Sequence, residues 1–364
     1  MIMTSRQIPN PKKVAILLEN QFEDLEFQIP FDALQKAEAK VVVLGSRMND
    51  TYQSYRGTVS VSPDATATEV SADDFDALVI PGGSIRTNPN VVHLVTHAIA
   101  QGKLVAAIGY GPQVLIETDQ LEGKQIAGSR AIRKDIENAG AIYLDAPTIV
   151  DSHLVTARRP GDLPIFTTTL LRLLGLTIEG THLPETPDHA HEWWELGEDW
   201  GGSTRQEIIQ ALNTAIVGER YTCEAFRQYS YRASDERLRQ LLREIADNKQ
   251  RHIQKLEERL HKTFHEQVSW QAVGSEAYAA LRGWLQTSDD IAILRRSLGD
   301  VQTGVIDTYR LCNQLTDPLT VEILDQIEQD LAKYEQRIAA LYRERSAGTA
   351  VEPPIPTTLA AVAR

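Results

Sequence analysis

The sequence predicts two folds in series: a doubly wound parallel α/β sheet, then an all-α bundle of four long helices. Three observations carry this. Short apolar runs without alternation recur in the first half and stop at Gly- and Pro-containing breaks. An acidic, tryptophan-rich stretch follows near residue 180. From Ser203 onward the pattern is amphipathic and helical. A chain of 364 residues is long enough for two cores at roughly 100–200 residues per domain. The expected segments are an α/β domain over 1–178, a linker over 179–202, a bundle over 203–346 and an extended tail over 347–364.

The strand candidates are Val14–Leu18, Lys40–Leu44, Phe75–Ile80 and Leu104–Ile108. Runs without alternation are buried on both faces, which is how parallel strands read. A helix beginning near Glu23 separates the first two. Pro81-Gly82-Gly83 ends the third run and Gly109-Tyr110-Gly111-Pro112 ends the fourth. In doubly wound sheets, sites lie at the carboxyl ends of strands, where both breaks fall. Asp151-Ser152-His153 reads as a hairpin turn, and a helix from Asp162 to about Leu174 closes the domain.

The stretch LPETPDHAHEWWELGEDW, residues 183–200, holds six acids, no Lys or Arg, and three tryptophans. It reads as a linker with little regular structure, packed through its aromatics. His189, His191 and Glu192 are weak metal candidates, because residues two apart do not share a helix face. Ser203 or Thr204 can cap a helix running to about Arg232, with Glu207 placed for a capping box. Further helices are expected from Ser234 to Thr263, from Ser288 to Gln314, and from Thr316-Asp317-Pro318 to Arg345. A short aromatic helix is expected at Ser275–Gln286.

The composition is 42% hydrophobic and 24% charged with a net charge of −13, which suits a globular chain. That charge argues against nucleic acid and anionic membranes, since both require a basic face. Two cysteines, Cys223 and Cys312, make neither a disulfide framework nor a zinc site. They read as thiols in helices. With no targeting segment and no spanning apolar run, a cytoplasmic location is expected.

The motifs point further. Phe22-Glu23-Asp24-Leu25-Glu26, Val79-Ile80-Pro81-Gly82-Gly83, Ala106–Thr118 (AAIGYGPQVLIET), Asp135–Ala141 (DIENAGA) and Ala157–Pro164 (ARRPGDLP) stand in order. Together they resemble the ThiJ/PfpI superfamily, of the class I glutamine amidotransferase-like group. That resemblance implies a flavodoxin-like fold and a cysteine thiolate on a tight turn, supported by a histidine and a buried glutamate. At the cysteine position stands Gly109 and at the histidine position Tyr110. Glu26 stands at the glutamate position. The pocket segment Ala127–Ile132 also departs from the pattern. Without a nucleophile, the chemistry that needs a thiolate is not expected, and a degenerate pocket of Glu26, Gly109 and Tyr110 remains. Glu26 is read as a relic carboxyl satisfied by neighbours such as the Tyr110 hydroxyl, or as a general base acting through water. Gly82, Gly83 and Gly111 are candidate ligand contacts. The resemblance makes Gly82-Gly83 an anion cradle, and a tight turn explains them equally well.

Leu212–Glu219 and Ile245–His252 resemble the first two helices of the ferritin-like superfamily. A di-iron bundle needs a Glu from two helices and Glu-x-x-His from the other two. Glu219 and His252 are present. The residue three before His252 is Lys249, and Gln302, Leu331 and Tyr334 stand where further ligands are sought. Glu219 and His252 are therefore relic positions and no metal or other cofactor is expected; Glu219 is expected to pair with Arg220, Lys249 or another base, and His252 to be a satisfied core histidine or to sit on the surface. Tyr221, Tyr229, Tyr231, Tyr309 and Tyr334 are expected to fill the helix seam. Both resemblances imply stress-related proteins, so the leading expectation is a non-catalytic binding, assembly or regulatory protein. An unknown small molecule or a protein is the expected partner, and a homodimer is expected. The alternatives are a hydrolase or lyase using Glu26, and a metal or redox protein using the bundle.

Overall fold

The computed structural model describes residues 11–185, 191–269 and 289–346. The short helix expected at 275–286, His189 and the tail over 347–364 lie outside them.

The first unit begins with β1 (Lys13–Leu17), α1 (Asp24–Lys36) and β2 (Lys40–Gly45). Three two-residue strands follow: β3 (Tyr52–Gln53), β4 (Ser60–Val61) and β5 (Ala65–Thr66). Then come β6 (Ala77–Ile80), α2 (Pro89–Ala100), β7 (Leu104–Ile108) and α3 (Pro112–Ile116). The unit continues through β8 (Gln125–Ile126), α4 (Arg133–Asn138), β9 (Ile142–Tyr143), β10 (Thr148–Asp151), β11 (Leu154–Ala157) and α5 (Leu163–Leu173). A seven-stranded sheet has the order β10-β11-β7-β6-β1-β2-β5. Only the β10–β11 hairpin is antiparallel within it.

The non-alternating runs have the expected cause. Val14 and Ile16 pack into one buried layer with Phe166, while Ala15 and Leu17 pack into the other with Leu94 and Leu115. Each face of β1 thus meets helices. The acidic aromatic stretch forms a six-residue helix, α6 (Trp194–Asp199), rather than an irregular linker. Trp193 and Trp200 are both 1% exposed and join the first unit's core. Burying a large aromatic contributes at least about 2 kcal/mol.

The division between the two units falls after Ser203, and Thr316–Pro318 belong with the first unit. Ser203 N–H donates to Thr316 Oγ1 at 2.7 Å, and Thr316 N–H donates to Ser203 Oγ at 3.0 Å.

The second unit contains α7 (Arg205–Arg232), α8 (Glu236–Phe264), α9 (Asp290–Cys312) and α10 (Pro318–Ser346). Thr204 and Glu207 cap α7 reciprocally, as their spacing predicts. Ile208, Leu212, Ile216, Glu219, Cys223 and Phe226 form a buried stripe on α7 at helical spacing. Cys223 and Cys312 are buried free thiols. Of the tyrosines expected in the seam, Tyr229 and Tyr334 are buried. Tyr231 and Tyr309 are instead exposed, on the outer face of their helices. No helix among the described residues is long and apolar enough to cross a membrane.

Candidate functional site

Three carboxyl-end segments of adjacent strands build the first site. Glu26 sits in the first turn of α1, after β1. Gly82 and Gly83 follow β6, and Gly109–Gly111 follow β7. The Glu23 carboxylate caps α1 by accepting from Glu26 N–H at 2.9 Å, which fixes the first turn. The hairpin loop steadies that turn: Asp24 accepts from Ser54 Oγ at 2.6 Å and from Arg56 N–H at 3.1 Å.

Glu26 is 3% exposed. Its Oε2 accepts from Gly82 N–H at 2.6 Å. Its Oε1 points at Gly109: a Cβ built there would lie 2.2 Å from that oxygen. The carboxyl therefore occupies the elbow instead of lying beside a void. Gly109 has a φ of 62°, in the left-handed region that favours glycine. Its N–H donates to Ala157 O at 3.1 Å and its carbonyl accepts from Ser129 N–H at 2.8 Å. The Ala127–Ile132 segment is thus part of the elbow's support.

Burial pushes the Glu26 carboxyl up to about 8; the Glu23 charge adds to this, and the Gly82 hydrogen bond opposes it. At neutral pH it is mainly a neutral carboxylic acid, a donor as well as an acceptor. Tyr110 is not its partner: the side chain is 44% exposed, and Gly82 provides the hydrogen bond. Two of the three candidate glycine contacts are engaged internally. Gly82 N–H serves Glu26, and Gly111 N–H donates to Ile108 O at 2.7 Å. A Cβ on Gly111 would lie 2.1 Å from Ile80 O, so close strand packing requires that glycine.

The bundle's polar seam joins α7, α8 and α10. Lys249 Nζ donates to Glu219 Oε1 at 2.7 Å, and His252 Nδ1 lies 2.9 Å from Glu219 Oε2. On the other side of the ring, His252 Nε2 lies 3.3 Å from Asp330 Oδ2 and 3.1 Å from Asn248 Nδ2. Burial raises the Glu219 carboxyl, but the Lys249 charge and the His252 hydrogen bond outweigh it and hold it below the ordinary carboxylate range. Of the expected partners of Glu219, Lys249 takes the role; Arg220 pairs with Glu257 at 2.5 Å. Gln302 turns to Glu335 at 3.0 Å, and Leu331 is buried.

Sequence reasoning missed two seam acids. Asp330 adjoins Leu331 in the region searched for a histidine, but as an acid on a charged helix it carried no signal. Asp300, pushed up to about 6 by burial, accepts from the Tyr229 hydroxyl at 3.1 Å. The linker candidate His191 packs edge-on against Trp193, with ring centroids 4.9 Å apart.

A parallel sheet with a glycine at its strand-exit elbow and a glutamate folded over it, followed by a four-helix bundle, defines a class: an α/β elbow protein with a helical companion. The DJ-1/PfpI family profile matches residues 12–173. "Protein/nucleic acid deglycase 2" of Escherichia coli K12 is 38% identical over 169 residues, which are 45% of this chain and 98% of that protein. "General stress protein 18" of Bacillus subtilis is 38% identical over 168 residues, with the same coverage. This chain belongs to the DJ-1/PfpI family. A solved two-domain protein of Anabaena variabilis, containing DJ-1/ThiJ/PfpI-like and ferritin-like domains, is 50% identical. It aligns over 95% of this chain and 99% of its own, with a TM-score of 0.89. The same pair of folds, in the same order, makes up this chain.

Proposed function

We propose that this chain is a non-catalytic, stress-associated binding and assembly protein that acts as a homodimer. Its family elbow has become a structural element. The observation carrying this reading is the Glu26 carboxyl in the space a nucleophile's Cβ would need, held there by Gly82 N–H. A glycine cannot attack a substrate, and the acid that would support a thiolate has no thiolate to support.

A second reading has one observation in its favour. A carboxyl near 8 lies close to the pKa suited to acid–base work. As a base, Glu26 acts only in the ionised minority present at neutral pH, and it is nearly inaccessible. One experiment separates the readings. The full-length chain is assayed on glycated protein and nucleic acid, the substrates named for the Escherichia coli relative. No turnover above that of Glu26→Gln is expected; turnover that Glu26→Gln abolishes overturns the proposal. Light scattering is expected to give twice the chain mass.

A further inference from the structure

The fold of the second unit implies a metal centre, and its residues test poorly against one. A di-metal bundle needs a carboxylate three residues before each ligating histidine, because i and i+3 share a face. Lys249 holds that position before His252. It is 2% exposed, and its ammonium lies on Glu219 at 2.7 Å. The remaining acids do not converge either. Glu219 meets His252 at Nδ1 and Asp330 meets it at Nε2, on opposite sides of one ring. No single ion can take both carboxylates and the imidazole in that arrangement. The seam does not fit a metal.

It is nonetheless built with care. Glu219, Lys249 and His252 are all at least nine-tenths buried. Asn248 is oriented by Arg251, whose Nη2 donates to Asn248 Oδ1 at 2.7 Å, and this turns the amide nitrogen towards His252 and Asp330. The Lys249 ammonium also lies 6.0 Å from the centroid of the Phe226 ring. A buried carboxylate is costly unless paired and hydrogen-bonded, and the Lys249 ammonium and the His252 ring supply both to Glu219.

We infer that Lys249 is an internal counter-ion: its ammonium neutralises Glu219, the buried acid at the metal-ligand position, so the bundle is stable without any metal. This does not depend on the reading of the first unit. The test uses the full chain after dialysis against chelator. Adding Fe(II) or Mn(II) anaerobically is expected to leave the bundle's melting temperature unchanged. Lys249→Met is expected to lower the folding equilibrium by roughly a hundredfold or more, because it strands a buried charge. Adding Glu219→Gln to that variant is expected to recover most of the loss, since the stranded charge is gone. If Lys249→Met alone does not fold, folding of the double variant is the same rescue. Failure of Glu219→Gln to rescue would show that Lys249 acts only by packing and overturn the inference. Stoichiometric metal binding by the unmodified chain that is lost in Glu219→Gln would overturn it too.

Discussion

Glu26 and Glu219 are both buried carboxyls, one on an α/β elbow and one in a helical seam. They go opposite ways. Glu26 has backbone N–H for company and a second acid, Glu23, nearby; it is pushed up to about 8. Glu219 has an ammonium and an imidazole, and it is held below the ordinary range. Burial acts on both in the same direction, so the neighbour decides the charge. In each place one neighbour sets the fate of the carboxyl: Gly109, with no side chain, leaves room for a neutral acid, and Lys249 holds an ionised one.

The largest expected break of this contrast is Lys249→Met. It should cost about 3–5 kcal/mol in the bundle's unfolding transition, read by denaturant titration of the full chain. Next comes pH. Glu26 is raised in the fold, so its contribution is fully present in acid and is lost as pH rises towards and through about 8. Glu219 is lowered, so its contribution is present at neutral pH and is lost as pH falls below the ordinary carboxylate range. Glu26→Gln should therefore flatten the fall in stability between the ordinary carboxylate range and about pH 8, an effect on the order of a few kcal/mol. Glu219→Gln should instead flatten the acid limb. Melting curves across pH that show both variants acting on one limb would erase the contrast.

A smaller effect is expected from Gly109→Ala. The left-handed backbone costs a non-glycine residue about 1–2 kcal/mol, and the new Cβ must displace Glu26. Thermal unfolding of the first unit's transition measures it; an unchanged midpoint would mean that the elbow is looser than its geometry. Tyr110→Phe should be smallest, within about 0.5 kcal/mol, because the ring is exposed and its hydroxyl is not the partner of Glu26.

Much of this was legible in residue order. The non-alternating runs gave the sheet because each face of a parallel strand meets helices. Gly109 and Lys249 were visible because each occupies a fixed offset in a motif. What escaped depends on contacts between distant segments. Nothing local says that the Glu26 carboxyl reaches into the Gly109 position, or that Asp330 meets the far nitrogen of His252. The helix Trp194–Asp199 was hidden by its acids and flanking prolines, and only the depth of Trp193 and Trp200 in the core explains why it forms. Tyr231 and Tyr309 were misplaced because tyrosine satisfies either side of a helix, and only neighbouring positions decide which.

The reciprocal bonds between Ser203 and Thr316 carry a practical consequence for dissecting the protein. A gene fragment ending at residue 203 would omit Thr316–Pro318, which belong to the first unit. It would remove the two hydrogen bonds that Ser203 exchanges with Thr316. The two folds are successive in sequence but not cleanly modular, and a faithful excision of the first must carry a graft of that returning tripeptide.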